Sequence, residues 1–339
     1  MDLHENISLK NYLTMRLGGP ARVIATAATK DELVKLYSTA KSKQLPAVIL
    51  GSGSNTLAHD DGYKGLIIRN QIKGIQEVDR DDVSVTYTFG GGEIWDDVVK
   101  MSVEKNLSGI EALSIIPGTV GAAPVQNIGA YGQELADTFV SCEAYDLKTE
   151  TFVTLGFDDC HFSYRSSIFR EEARGRYAIV SVTLRLYISP PVPPFYAAVQ
   201  NYFDEQGITI YTLQAICEAV IAIRTDKLPD PAKWPNSGSF FKNAIIEDWQ
   251  LRDLLATYPD IPHYDLGDRT YKVPTGWLIE KCGLKGQLLH GMRVHDKNAL
   301  VLINESAKNF ADLEAARDEI IGKVRDTFRI MIQQEPLEL

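Results

Sequence analysis

The chain has few cysteines and lacks the patterns in which cysteine binds metals or forms disulfide frameworks. Its four cysteines, Cys142, Cys160, Cys217 and Cys282, are widely spaced among 339 residues and include no CxxC pair. Such spacing favours reduced thiols over disulfides or a zinc site. The six histidines also lack metal-ligand spacing, so we expect no metal in the chemistry.

Long apolar runs and a basic charge balance are also absent. No stretch of about eighteen apolar residues occurs, and MDLHENISLK lacks the apolar core of a signal peptide, so we expect a cytoplasmic protein with no membrane anchor. The formal net charge of −10 argues against a nucleic-acid-binding surface. With 45% hydrophobic and 24% charged residues, the composition is that of a soluble globular protein.

The sequence shows an alternation of helix and strand patterns along the chain. Thr29 and Glu32 have the spacing of a capping box, and apolar residues then recur at helical period to about Lys43. Strands are predicted at 46–50, 65–70 and 299–304, a half-buried strand at 83–89, and several strands within 139–187. Further helices are predicted at 95–103, 212–224 and 310–328. The proline-rich segment 188–195 interrupts this pattern and is the best candidate for a domain boundary.

Two glycine-rich stretches are candidates for ligand binding. In GSGSNT (51–56), successive backbone N–H groups and short hydroxyls are able to surround a pyrophosphate, although a tight turn needs the same residues. This stretch departs from a Rossmann fingerprint, because it has no third glycine and no helix is predicted after it. The second stretch, 109–134, has five glycines and no long charged side chain from 122 to 132, which suits either a flat, bulky ligand or close strand packing.

A third candidate is Ser239 in NSGSFFKN (236–243), where a small hydroxyl stands between a glycine and two phenylalanines. Gly238 and Ser239 are equally suited to a turn that leads into a buried strand.

Seven segments together resemble the UDP-N-acetylenolpyruvoylglucosamine reductase (MurB) family. They follow the family's order and cover nearly the whole chain: NYLTMRLGGPA (11–21), ILGSGSNTL (49–57), the stretch 109–134, FSYRSSIFR (162–170), KLPDP (227–231), GSFFKN (238–243) and GWLIEKCGLKG (276–286). Each alone is a weak signal, whereas seven in sequence are highly specific. Two departures are visible, since Ala244 stands where a proline usually follows FFKN and Ala122-Ala123 replace a more glycine-rich pair.

The resemblance implies an α+β fold with a two-lobed FAD-binding domain of the vanillyl-alcohol-oxidase (PCMH) type and a C-terminal α+β substrate-binding domain. The lobes are expected at 1–70 and 71–190, and the substrate-binding domain at 191–339. It also implies non-covalent FAD, NADPH as hydride donor, and reduction of the enolpyruvyl ether of UDP-N-acetylglucosamine to UDP-N-acetylmuramate. That step belongs to peptidoglycan precursor synthesis, and so to cell-wall biogenesis, cell shape and cell division. The expected partner is the UDP-sugar, with no nucleic acid or membrane, and a monomer is favoured.

The resemblance also implies three catalytic residues. Ser239 matches the family's proton donor, which protonates the carbanionic centre left when hydride reaches the enolpyruvyl group. Arg165 matches a residue suited to binding the substrate carboxylate and stabilising enolate charge. Glu335 matches a residue that polarises this group or assists proton transfer. Glu338 is a second candidate, and Glu335 is preferred for its spacing from Phe328 through the strand-like RIMIQ segment.

The resemblance also implies contacts with the cofactor and the substrate, which are assigned to the residues of this chain that match the family's motifs. FAD contacts are expected from Gly51, Ser52, Gly53, Ser54, Asn55, Thr56, Ser114, Pro117, Gly118, Thr119, Gly121, Ala122 and Arg224. Substrate contacts are expected from Tyr196, Lys227, Asn243, Tyr264, Lys285 and Asn298. Tyr196 matches the tyrosine that closes over the UDP portion in one of the family's two types, with Tyr202 as the alternative, and Lys227 is expected at the diphosphate. The surroundings of Tyr264 differ from the family pattern.

Three other function classes make different predictions. A related FAD oxidase of the same fold would keep both glycine-rich stretches without needing GSFFKN, Lys227 and Glu335 together. An inactive UDP-sugar-binding protein would bind no FAD, so the purified protein would be colourless. A NAD-dependent Rossmann dehydrogenase is disfavoured by the 51–56 loop.

Overall fold

The computed structural model describes residues 2–339 as an α+β protein. Its helices are α1 Lys30–Ser42, α2 Trp95–Glu104, α3 Ala197–Gln206, α4 Leu213–Lys227, α5 Asp248–Thr257, α6 Thr275–Lys281 and α7 Phe310–Phe328. Its strands are β1 His4–Ser8, β2 Pro20–Ala27, β3 Ala47–Leu50, β4 Thr56–Leu57, β5 Tyr63–Asn70, β6 Ile75–Arg80, β7 Ser84–Gly90, β8 Gly129–Ala130, β9 Gln133–Glu134, β10 Phe139–Asp146, β11 Thr151–Gly156, β12 Tyr177–Tyr187, β13 Ala244–Glu247, β14 Tyr264–Gly267, β15 Thr270–Val273, β16 Leu288–Leu289, β17 Met292–Val294, β18 Leu302–Asn304 and β19 Leu337–Glu338.

The chain divides into two compact units, each built from separate segments. The first comprises Met1–Ile7, Ala21–Ser52 and Lys64–Asp226, and the second comprises Ser8–Pro20, Gly53–Tyr63 and Lys227–Leu339. Residues 191–226, which the sequence analysis placed in the substrate-binding domain, therefore pack within the first unit. The functional limits at residues 70 and 190 stay predictions.

A four-stranded sheet in the first unit has the order β1-β2-β5-β3, and β3 and β5 run parallel. Helix α1 covers it with a buried apolar face, as its period predicts. The helix begins where Thr29 accepts a hydrogen bond from the Glu32 N–H at 3.1 Å. The Glu32 carboxylate reaches back to the N–H of Ala28 at 2.8 Å, one residue earlier than in a standard capping box.

A five-stranded antiparallel sheet in the first unit has the order β11-β10-β12-β7-β6. Strand β12 contributes apolar side chains to two separate clusters, one shared with α2 and the other shared with α1. Strand β7 is almost entirely buried: Val85, Tyr87 and Phe89 belong to the cluster shared with α2, and the polar Ser84 and Thr86 are buried as well. The strand predicted at 83–89 is thus confirmed as β7, but the prediction that it is half-buried was wrong, and the exposed Val83 precedes the strand.

Helices α3 and α4 pack together in the first unit, around Phe203 and Val220. Helix α4 confirms the helix predicted at 212–224. The prolines at 188–195 lie in an irregular segment that leads into α3.

The second unit surrounds one apolar core with small sheets and three helices. Its sheets have the orders β13-β15-β14, β16-β17-β18 and β19-β4. Helix α7 buries the residues that its period predicts: Phe310, Leu313, Ala316, Ile320, Val324 and Phe328. Two sequence predictions need correction here. Only Leu302–Asn304 of the predicted strand 299–304 is a regular strand, because a turn from Asn298 to Val301 precedes it, and RIMIQ (329–333) forms no regular strand.

No helix within residues 2–339 is long and apolar enough to cross a membrane.

Candidate functional site

The predicted flavin-binding residues 114–122 form a loop that is anchored to the start of α2. The indole Nε1 of Trp95 donates to the carbonyl of Leu113 at 3.1 Å, and the Asp96 carboxylate accepts from the N–H of Ile115 at 2.6 Å. The N–H of Gly121 donates to the carbonyl of Gly91 at 2.8 Å. The loop is thus held at both ends, and its backbone is shaped independently of any ligand.

Close backbone packing explains the small residues in this region. A Cβ on Gly51 would lie 2.8 Å from Thr119 Oγ1, and a Cβ on Gly121 would lie 3.0 Å from the carbonyl oxygens of Gly91 and Ile179. Gly118 has a φ of +148°, which a side chain would disfavour. Gly51 and Gly121 are therefore needed for close packing within the first unit, the structural alternative that the sequence left open for these stretches.

The GSGSNT stretch spans both compact units. Gly51 and Ser52 belong to the first unit, and Gly53 to Thr56 belong to the second. Within the second unit, the Gly53 carbonyl accepts from the N–H of Thr14 at 3.2 Å. No helix follows this stretch, as the sequence predicts, and its last residue, Thr56, begins the short strand β4.

One predicted flavin contact already has its hydroxyl engaged within the protein. Ser114 is buried, and its Oγ donates to the carbonyl of Glu111 at 2.6 Å and lies 3.1 Å from Cys217 Sγ. Burial raises the pKa of the Cys217 thiol, which keeps it protonated and unreactive. Only the backbone of Ser114 is therefore suited to a cofactor.

Arg165 lies at the tip of a tight turn. Ser163 and Ser166 exchange two backbone hydrogen bonds of 3.1 Å, and Arg165 between them has a φ of +54°. Its Nη2 donates to the carbonyl of Gly129 at 2.5 Å, and a Cβ on Gly129 would come within 2.9 Å of Nη1. A non-glycine residue in the left-handed region is strained, and such strain is concentrated at functional sites.

A second guanidinium group, that of Arg224 on α4, lies in the same unit. Its Nε is buried and has no hydrogen-bond partner among residues 2–339. Burial lowers the pKa of Arg224, and the nearby positive charge of Arg165 lowers it further. Tyr131 acts to raise this pKa. Because arginine stays protonated in proteins, a buried donor of this kind calls for an anionic or hydrogen-bond-accepting ligand.

Tyr131 links these cations to Tyr196, the predicted substrate contact. The rings of Tyr131 and Tyr196 meet edge to face with centroids 5.7 Å apart. Burial raises the pKa of Tyr131, while the nearby Arg224 acts to lower it. The sequence analysis did not select Tyr131, although its position in NIGAYGQE, beside two glycines, was an available signal.

In the second unit, Ser239 lies on an extended segment between two partners. Ser239 bridges Val301, and the N–H of Phe240 donates to the carbonyl of Leu300 at 2.7 Å. Gly238, with a φ of +72°, turns the chain into this segment. Phe240 and Phe241 are fully buried in the core, so they fix the backbone on which Ser239 stands.

Glu335 lies beside the same segment. Its N–H donates to the carbonyl of Phe240 at 2.8 Å, and the N–H of Lys242 donates to the carbonyl of Gln333 at 2.9 Å. Residues 240–242 and 333–335 thus form a short antiparallel pairing. It brings Ser239 and Glu335 to neighbouring positions on adjacent segments.

The asparagines of the predicted substrate set belong to the same framework. Asn298 Oδ1 accepts from the N–H of Leu300 at 3.1 Å and so orders the turn before Val301. Asn243 Oδ1 accepts from the N–H of Thr275 at 3.1 Å.

Lys227 ends α4 and begins a loop that Asn236 organises. The buried Asn236 amide donates to the carbonyls of Pro229 and Trp234 at 3.0 and 2.7 Å. Its Oδ1 accepts from the N–H of Gly238 at 2.8 Å. The amide thus joins the loop after Lys227 to the turn before Ser239, a role that the sequence analysis did not assign.

Tyr264 and Lys285 lie at the surface of the second unit. Tyr264 is exposed on the edge strand β14, with the ammonium group of Lys272 5.5 Å from its ring centroid. Lys285 Nζ donates to Glu280 Oε2 at 2.9 Å. Their assignment as substrate contacts stays a prediction.

Glu338, the alternative to Glu335, is already bound by other side chains. Its Oε1 accepts from Arg317 Nη1 at 3.0 Å and from Gln334 Nε2 at 2.8 Å, and its Oε2 lies 3.1 Å from His59 Nε2. A carboxylate held in this way is suited to a structural role.

Among residues 2–339, no group of three or more His, Cys, Asp or Glu side chains is arranged to hold a metal ion.

Comparisons with known proteins agree with these observations. Residues 21–156 match the family described as FAD binding domain, and residues 230–338 match the UDP-N-acetylenolpyruvoylglucosamine reductase C-terminal domain. The chain is 41% identical over 330 residues to a UDP-N-acetylenolpyruvoylglucosamine reductase of Neisseria gonorrhoeae, covering 97% of this chain and 95% of that protein. It is 42% identical over 290 residues to the reductase of the same name from Pseudoalteromonas translucida, covering 86% and 84%.

A solved structure has the same fold. The crystal structure of UDP-N-acetylenolpyruvylglucosamine reductase (MurB) from Thermus caldophilus aligns with a TM-score of 0.66 and 22% identity, covering 99% of this chain and 98% of that one. The predicted α+β class with an FAD-binding domain is confirmed.

Proposed function

Because the chain belongs to the UDP-N-acetylenolpyruvoylglucosamine reductase (MurB) family, we propose a division of that reaction among its residues. The enzyme is an oxidoreductase that uses FAD and NADPH to reduce the enolpyruvyl ether of UDP-N-acetylglucosamine to UDP-N-acetylmuramate, a peptidoglycan precursor. Bound FAD would supply the hydride chemistry of this reaction, with NADPH as the hydride donor and the enolpyruvyl group as the acceptor.

The first unit holds the anionic part of FAD. Two features support this assignment: the anchored loop 114–122 and the unpartnered Nε of Arg224 among residues 2–339. A pyrophosphate or a flavin oxygen would satisfy that donor, so these residues fit the cofactor.

Ser239 donates a proton to the carbon that carries the substrate carboxylate. The overall reaction consumes NADPH and one proton per double bond, so a solvent proton must then restore the hydroxyl. Arg165 binds the substrate carboxylate and stabilises the negative charge that develops on it. Glu335 assists the proton transfer. The observation that carries this assignment is the pairing of residues 240–242 with 333–335, which brings Glu335 next to the segment of Ser239.

Substrate binding is assigned to the residues that match the family's substrate contacts. Tyr196 covers the UDP portion, supported by its edge-to-face contact with Tyr131. Lys227 meets the diphosphate as a point charge. Asn243, Tyr264, Lys285 and Asn298 complete the proposed set.

We also propose a cytoplasmic monomer. Four free cysteines suit a reducing compartment, and one chain supplies every residue of the proposed site. Light scattering of the purified enzyme tests the monomer.

The decisive experiment follows the two half-reactions separately. The yellow protein is reduced anaerobically with NADPH, and the enolpyruvyl sugar nucleotide is then added. We expect bleaching of the flavin absorbance, followed by its full recovery with one UDP-N-acetylmuramate formed per flavin. Failure of the sugar nucleotide to reoxidise the flavin would overturn the proposed function.

A further inference from the structure

The segment that carries Glu335 is fixed on both sides by different partners. Before Glu335, residues 333–335 pair with residues 240–242. After it, β19 runs parallel to β4, where the N–H of Leu337 donates to the carbonyl of Asn55 at 3.1 Å. Glu335 thus lies at the junction between the Ser239 segment and the end of the GSGSNT stretch.

A cluster of polar side chains closes this junction. Glu338 Oε1 accepts hydrogen bonds from Arg317 Nη1 and from Gln334 Nε2, four residues earlier. Arg317 Nη1 also donates to Gln334 Oε1 at 3.2 Å, and the Arg317 side chain is only 17% exposed. The turn from Gln334 to Glu338 is therefore closed by its own side chains and attached to α7.

The other Glu338 oxygen connects the turn to the residues after β4. His59 Nε2 lies 3.1 Å from Glu338 Oε2, and the His59 ring packs on Phe310 at the start of α7. The adjacent Asp60 accepts from the N–H of Phe310 at 2.8 Å. One carboxylate thereby joins α7, the Glu335 turn and the segment after the predicted flavin residues.

We propose that Glu338 is a positioning residue, which acts through Arg317, Gln334 and His59 to set where Glu335 stands for the reaction. This inference rests on the role proposed for Glu335 above. Charge-assisted hydrogen bonds to a partly buried guanidinium are directional and hold a short turn in one geometry. A displacement of about 1 Å in a reacting group is enough to cost up to about 100-fold in rate.

The test compares Glu338→Gln with Glu314→Gln, both in the holoenzyme. Glu314 also pairs with Arg317, at 3.0 Å from Nη2, whereas Glu338 in addition contacts Gln334 and His59, so Glu314 is a matched control. Stopped-flow absorbance measures flavin reduction by NADPH and flavin reoxidation by the enolpyruvyl sugar nucleotide. For Glu338→Gln we expect reoxidation slowed about tenfold with a larger solvent deuterium isotope effect, and flavin reduction within about twofold of the parent. For Glu314→Gln we expect neither rate to change.

A double variant separates failure of this inference from failure of the proposed function. If Glu338 acts through Glu335, Glu335→Gln/Glu338→Gln reoxidises no more slowly than Glu335→Gln alone. Three outcomes would overturn the positioning role alone. The first is that the losses of reoxidation rate in the two single variants add in the double variant, and the second is that Glu338→Gln slows both half-reactions equally. The third is that Glu338→Gln reoxidises at the parent rate although Glu335→Gln is slow. A normal rate in Glu335→Gln would overturn the role proposed for Glu335, and the present inference with it.

Discussion

The backbone N–H of Glu335 donates to the carbonyl of Phe240, 2.8 Å away, although the two residues are far apart in the sequence. Phe240 is fully buried and follows Ser239 directly. The buried ring fixes the backbone on which both Ser239 and Glu335 depend. Proton donor and acceptor groups held on neighbouring extended segments need little reorganisation when the reaction occurs.

Ser239→Ala should separate the two half-reactions. Without its hydroxyl, we expect reoxidation of flavin by the enolpyruvyl sugar to slow by about 100- to 10,000-fold, the range typical of general acid catalysis. Flavin reduction by NADPH should stay within about twofold, because that step does not need this proton. Anaerobic stopped-flow absorbance measures both rates.

Ser237→Ala is the matched control for this experiment. The Ser237 hydroxyl lies two residues from Ser239 and is buried without a hydrogen-bond partner among residues 2–339. Removal of an unsatisfied hydroxyl is nearly neutral for stability, so both rates should be retained. Equal impairment of both half-reactions by Ser239→Ala would contradict its role as proton donor.

Arg224→Met should weaken the binding of FAD. Its buried Nε and its neighbour Arg165 form a cationic region that suits an anion, and a charge-assisted hydrogen bond contributes about 1.5–3 kcal/mol. We therefore expect the Kd for FAD to rise by about 10- to 100-fold, measured by flavin fluorescence on titration of the flavin-free protein.

The control for Arg224 is Arg185→Met, which removes an exposed guanidinium from β12 of the same unit. It lowers the net charge by the same amount, so any long-range charge effect is matched. Equal FAD affinity in both variants would mean that Arg224 does not contact the cofactor.

Local periodicity predicted the helices and failed for long-range pairing. The apolar residues of α7 repeat every three or four positions, which is enough to predict the buried face that the structure confirms. The pairing of 240–242 with 333–335 involves only three residues on each side, which is too short to give an alternating pattern. The position of Glu335 was therefore expected from the family resemblance and not from periodicity.

Spacing in the sequence was also a poor guide to contacts in the core. Cys142 and Cys160 stand apart in the chain, yet their thiols are hydrogen-bonded in the interior of the first unit. That hydrogen bond, together with burial, raises the pKa of Cys142, so its thiol is an unreactive core group. Tyr131 was missed for a similar reason, because its neighbours come from later parts of the chain: Tyr196 directly precedes α3, and Arg224 lies in α4.

Asp146→Asn should alter the acid stability of the enzyme. The hydrogen bond from Arg176 lowers the pKa of the buried Asp146 to about 2, from about 4 in an unfolded chain. A lowered native pKa contributes stability that is present above about pH 4 and is lost as the pH falls toward about 2. We expect the parent to have the higher Tm at pH 7, the difference to be reduced near pH 3, and the two proteins to converge only at about pH 2, as measured by circular dichroism. A constant difference in Tm across this range would contradict the ion pair as the cause.

Asn236→Asp should raise the substrate KM as well as lower stability. The substitution keeps the shape but replaces the donors to Pro229 and Trp234 with an oxygen that repels both carbonyls, which costs about 2–4 kcal/mol of unfolding free energy. The loop after Lys227 then loses its attachment to the turn at Gly238, so we expect about a tenfold higher KM for the UDP-sugar. Asn70→Asp is the matched control, because the buried Asn70 amide donates to the Ile179 carbonyl at 2.9 Å in the first unit. Urea unfolding measures the loss of stability in both variants, and steady-state kinetics measures the KM for the UDP-sugar. If both variants lose stability equally and neither changes KM, Asn236 supports the fold and not the substrate site.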